Sequence, residues 1–77
     1  MNDMASVAWL REKIVEHLSI HPGAADTIIG IASWWLEAEE VPLDAVEQAV
    51  LGLVDAGVME RRVTLDGTPI YGLARSQ

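Results

Sequence analysis

Apolar residues recur at helical spacing along the first stretch of this chain. Val7, Leu10, Ile14 and Leu18 share one side of a helix predicted over about residues 4–20, and Arg11, Glu12, Lys13 and Glu16 fall largely on the other. Asp3 is placed to cap its start. His21-Pro22-Gly23 ends it, because proline lacks a backbone donor and glycine admits the conformation of a helix exit. A second helix is predicted from residue 26 to about 38, with the Thr27 hydroxyl capping the N–H groups of its first turn. Ile28, Ile29, Ile31, Ala32, Trp34, Trp35 and Leu36 make it apolar on nearly every side. One face packs on the first helix, and some of Ile29, Trp34 and Leu36 must find another environment. Glu37-Ala38-Glu39-Glu40-Val41 is an acidic turn, and Pro42 starts a third helix, where its missing N–H costs nothing. That helix runs to about residue 56, with Val46, Ala49, Val50 and Leu53 inward, and Gly57 supplies its left-handed stop. The pattern then changes to extended. Residues 58–65 and 68–73 read as two strands about an Asp66-Gly67 turn, and the last residues fray.

Length and composition sharpen this outline. Seventy-seven residues make one domain, with an ordered core over about residues 4–74. Its expected class is α+β, three helices followed by a two-stranded β-hairpin. Apolar residues form 51% of the chain, which is high for so small a domain, so some are expected outside against another protein. The absence of cysteine excludes disulfides, thiolate metal sites and thiol nucleophiles. Residues 1–8 lack the basic region and apolar core of a signal peptide, and no apolar run approaches the roughly 18 residues that span a bilayer. A soluble cytoplasmic protein with no membrane partner is the expectation. The net charge of −7 is uneven: residues 1–57 hold ten acids against two bases, whereas residues 58–77 hold Arg61, Arg62 and Arg75 against Glu60 and Asp66.

Three stretches together carry a family resemblance. Thr27-Ile28-Ile29-Gly30-Ile31-Ala32 is similar to a T-x-x-E-I-A helix opening, with Gly30 in place of the glutamate. Residues 46–58, Val-Glu-Gln-Ala-Val-Leu-Gly-Leu-Val-Asp-Ala-Gly-Val, are similar to V-x-x-A-L-x-x-L-x-x-x-G-[IVL]. Asp66-Gly67-Thr68-Pro69-Ile70-Tyr71-Gly72-Leu73 is similar to a hairpin whose D-G turn is followed by tyrosine and leucine. The chain thus resembles the winged helix-turn-helix superfamily over nearly its whole length. The matching positions are mostly core and turn, so the resemblance implies a fold, a hairpin wing and a transcription-associated setting, and it leaves the function open.

Two functional readings follow. In the family the third helix commonly enters the DNA major groove. Here it holds no lysine or arginine, and Asp44 and Glu47 occupy the end that faces the groove. The alternative reading, a dimeric DNA-binding regulator, therefore rests on Gln48 and Glu47 against base edges and on Arg61 and Arg62 against phosphates, with Arg75 in support. The leading reading is a homodimeric interaction module acting through protein–protein contacts, with Trp34, Trp35, Leu43, Leu51 and Val54 as its surface. The core holds one tryptophan of the adjacent pair more easily than both, and Trp9 poses the same question on the first helix. A third reading is an acidic face that occupies a basic protein. His17 and His21 have the i, i+4 spacing of a shared metal, but no third ligand is evident and no metal is expected. Ser6, Ser19, Ser33 and Ser76 lack a nucleophile-elbow context, and no glycine-rich phosphate loop occurs. Neither a catalytic residue nor a cofactor is expected.

Overall fold

The computed structural model describes residues 7–36 and 42–75. The class is α+β, with three helices and a three-stranded antiparallel sheet. Helix α1 spans Val7–Ile20 and buries Leu10, Ile14 and Leu18, three positions four residues apart on one stripe. Its last turn is followed by a bond from the His21 N–H to the His17 carbonyl, after which Pro22 and Gly23 turn the chain. The cap expected at Asp3 and the acidic turn at Glu37 to Val41 lie outside the described residues.

The sheet corrects the two-stranded expectation. Strand β1, Ala25–Asp26, is only two residues long and pairs antiparallel with β3, Pro69–Leu73, placing Ala25 opposite Gly72 and Asp26 opposite Tyr71. Strand β2, Met59–Val63, lies on the other side of β3, so the order is β1-β3-β2. Two residues are too few for hydrophobic alternation to register, which is why the pattern assigned Asp26 to a helix. Gly72 makes the close approach possible: a Cβ there would lie 2.8 Å from the Ala24 carbonyl oxygen and 3.1 Å from the Ala25 Cβ.

The second helical segment follows β1 directly. Helix α2, Ile28–Gly30, is capped by Thr27, whose hydroxyl accepts the Gly30 N–H at 3.0 Å. The Asp26 carboxylate accepts the Thr27 N–H at 2.8 Å and then lies against the Gly30 Cα. That carboxylate fills the space a side chain at position 30 would need, which accounts for glycine at this point. The segment continues as a π-helical turn, Ile31–Trp35, closed by the Leu36 N–H on the Ile31 carbonyl at 3.2 Å.

Helix α3 spans Leu43–Asp55, with Pro42 as its N-cap rather than its first helical residue. It ends in a Schellman motif. The Val58 N–H reaches the Leu53 carbonyl at 2.9 Å, the Gly57 N–H reaches the Val54 carbonyl at 3.0 Å, and Gly57 holds φ 83°. The core lies between α1, the α2 segment, α3 and the inner face of the sheet, where Met59 and Tyr71 are buried. Val46 and Val50 contribute fully buried side chains from α3, each worth about 1.5–3 kcal/mol of transfer free energy.

The β2–β3 connection is a three-residue loop, Leu65-Asp66-Gly67, closed by Thr64 and Thr68. The Gly67 N–H bonds the Thr64 carbonyl at 2.9 Å, and Gly67 holds φ 91°, so a left-handed glycine completes the turn. Hydrogen bonds from the Thr64 hydroxyl, and then from Thr68, hold the Asp66 carboxyl below the ordinary aspartate range. This contribution to the turn is complete above the ordinary aspartate pKa and is lost as pH falls through the depressed folded value. In a carbon-13 titration of the side-chain carboxyls, Asp66 is expected to titrate lower than a random-coil aspartate, and Thr64→Ala is expected to raise it. An ordinary or raised value in the wild type removes this account of the turn.

Candidate protein-interaction surface

The residues expected to form a contact surface separate on folding. Ile31 and Trp35, four residues apart, both turn inward, and Trp35 is only 9% exposed. Its ring stacks on His17 of α1 with centroids 4.5 Å apart and planes 14° from parallel. Trp35 therefore belongs to the core, where it joins α1 to the α2 segment, and it does not extend the outer surface. Trp34 points the other way and is 74% exposed, and Ile29 is also exposed. Leu36 is buried. Val54 is half-buried against the core, so it forms the edge of the α3 outer face.

The outer side of α3 is set by the inward stripe of Val46, Ala49, Val50 and Leu53. At about 100° per residue this leaves Leu43, Asp44, Glu47, Gln48, Leu51 and Asp55 outward, and all six are exposed. Leu43 and Leu51 are 48% and 45% exposed and stand about 12 Å apart along the axis. Acids border them and no base lies on the helix. On its α1 side the face ends at Gly52, where a Cβ would meet Nη1 of Arg11 at 2.9 Å, so the Arg11 guanidinium lies over this turn of α3.

The arginines of the hairpin are not equivalent. Arg61 is exposed. Arg62 lies on the opposite face of β2, the face that also carries Glu60, because residues two apart in a strand point the same way. Its Nε is 3.3 Å from Oε2 of Glu60 and its Nη2 crosses Gly72. That Nε is buried and makes no hydrogen bond among the described residues, so its tie to Glu60 is an ion pair without a directed hydrogen bond. The other oxygen of Glu60 accepts the Arg75 N–H at 3.4 Å. Arg62, which the DNA-binding expectation places on phosphates, thus shares its charge with Glu60 in a partly exposed pair. The i, i+2 spacing in a strand was the available signal.

No family model, curated protein or solved structure matches this chain.

Two further features went unseen in the sequence. The first is an apolar groove of about 230 Å³ between α1 and the sheet, lined by Val15, Leu18, Ser19, Pro22, Val58 and Leu73, none of them charged. It is assembled from three separate segments, so no local pattern announces it. The second is the setting of the histidines. His17 stacks on Trp35 while the His21 ring lies 4.9 Å from it, tilted by 42°. The i, i+4 spacing thus serves aromatic packing, and no group of three or more metal-ligating side chains occurs among the described residues. Trp9, half-exposed on α1, has Lys13 Nζ 5.7 Å from its ring, and Lys13 pairs with Glu16 at 3.3 Å. No helix among the described residues is long and apolar enough to cross a membrane.

Proposed function

We propose that this chain is a non-catalytic winged-helix interaction module of a regulatory, transcription-associated kind, acting as a homodimer through protein–protein contacts. The order of three helices followed by the β2–β3 hairpin supports the winged-helix reading. One observation carries the functional part: the α2 segment exposes Trp34, and the outward surface of α3 exposes Leu43 and Leu51 among acids, with no base on either element. Exposed tryptophan and leucine favour a protein partner. The same acids repel phosphate, on which DNA affinity largely depends. Two acidic copies meet with least repulsion at the uncharged groove between α1 and the sheet, which is the contact assigned to the dimer.

Two measurements on one preparation test this. Sedimentation velocity is expected to give a dimer, and Val15→Glu, at the rim of the groove, is expected to shift it towards monomer. A labelled mixed-sequence duplex at about 50 mM salt, where phosphate attraction is strong, is expected to stay unbound. Duplex binding that weakens steeply with added salt overturns the reading in favour of a DNA-binding regulator, and a wild-type monomer at high concentration removes its homodimeric part.

A further inference from the structure

We propose that the outer face of α3 docks a cationic amphipathic helix of a partner protein. This rests on the interaction-module reading and names the chemistry of the partner. The face has two components that call for different cover. Leu43 and Leu51 leave apolar surface in water, and Asp44, Glu47 and Asp55 surround it with three negative charges, against the single guanidinium of Arg11 that reaches the edge of the face at Gly52.

A second copy of this chain does not satisfy both components. Like-with-like packing of this face sets Asp44, Glu47 and Asp55 against the same three acids, and juxtaposed like charges disfavour the pairing. A nucleic acid meets the same repulsion from its phosphates. A partner segment with lysine or arginine beside apolar residues satisfies both, since the long stems of those side chains cover leucine while their charged ends reach the carboxylates. The spacing favours a helix. Leu43 and Leu51 lie about 12 Å apart, the separation of two same-face positions two turns apart on a second helix packed alongside. Exposed ion pairs add little affinity individually, so the leucines supply most of the binding and the acids select the sign of the partner.

The probe is a fluorescent Leu/Lys peptide of about 18 residues, roughly five turns, patterned as an amphipathic helix. Its control is a peptide of the same composition with the pattern permuted. Wild-type protein is expected to bind the patterned peptide about tenfold more tightly than the permuted one, in line with the loss of one buried apolar anchor. Leu51→Ala is expected to weaken binding by about tenfold on the same ground. Glu47→Lys is expected to weaken it as well, by a factor that shrinks at high salt. Glu12→Lys, exposed on α1, is expected to leave it unchanged. Circular dichroism of each variant confirms that it is folded.

Equal binding of the two peptides, or an equal loss with Glu12→Lys, reduces the effect to diffuse charge and overturns the proposal. Sedimentation of the same variants separates the two levels. A wild-type dimer that Leu51→Ala dissolves assigns the α3 face to a second copy, which overturns this inference and keeps the interaction reading. A monomer that binds neither peptide sinks both.

Discussion

Replacing Ile14 with alanine is expected to lower the unfolding free energy by about 2–5 kcal/mol, the range for truncating a buried aliphatic side chain. Ile14 has no exposed surface and sits at the middle of the α1 stripe, between Leu10 and Leu18, in the core shared with α3 and the sheet. Removing three carbons there forfeits the transfer free energy of those atoms and leaves a cavity the neighbours fill only in part. A chain of 77 residues has roughly 4–12 kcal/mol of total stability at about 0.05–0.15 kcal/mol per residue, so this one change consumes a large share of it. The control is an exposed residue of the same helix outside the groove. Glu12→Ala is expected to change stability by no more than about 0.5 kcal/mol. Urea unfolding followed by far-ultraviolet circular dichroism reads both. Equal midpoints for the two variants contradict the inward assignment of the α1 stripe.

The second large effect is at Gly72. Substitution by alanine is expected to cost about 1–3 kcal/mol, because the new methyl has no room to be absorbed. It would lie 2.8 Å from the Ala24 carbonyl oxygen and 2.8 Å from Arg62 Nη2. The Arg62 guanidinium can swing away, but the carbonyl is backbone and moves only if β1 separates from β3. The disturbance then travels along the chain. Asp26 of β1 accepts the Thr27 N–H, and Thr27 caps α2, the segment that leads to Trp34 and Trp35. Gly72→Ala is therefore expected to speed amide hydrogen exchange where β1 pairs with β3 and to redden the emission of the buried Trp35. Gly23, whose added Cβ would meet nothing within 4 Å, is the matched control and is expected to leave exchange unchanged. Unaltered protection along the β1–β3 pairing in Gly72→Ala would mean that β1 is not held where the register places it.

The reach of local pattern differs between elements for identifiable reasons. The stripes on α1 and α3 were legible because each repeats over several turns: of the eight positions expected inward, Leu10, Ile14, Leu18, Val46, Ala49, Val50 and Leu53 are buried, and Val7 at the start of α1 is half-buried against the core. The helix exit at Gly57 and the turn at Asp66-Gly67 were legible because left-handed backbone selects glycine. The acidic, base-free outer face of α3 followed directly, since fixing the inward stripe also fixes what faces out. The choice between Trp34 and Trp35 was not legible. In a segment apolar on nearly every side, each residue is a candidate for burial, and only the packing of Ile31 and Trp35 against α1 and His17 made the selection.

Residue pattern and composition are enough for the class of the domain, the inward stripes of α1 and α3, the two glycine-dependent reversals and the charge of the helical part. These depend on interactions between residues close in the chain, or on the side chain alone. Folding set the third strand, the burial of Trp35, the lie of Arg62 over Gly72 and the uncharged groove where α1 meets the sheet. Each of these features depends on where the folded chain brings separate segments into contact, and a periodicity of side chains along the chain carries no record of that.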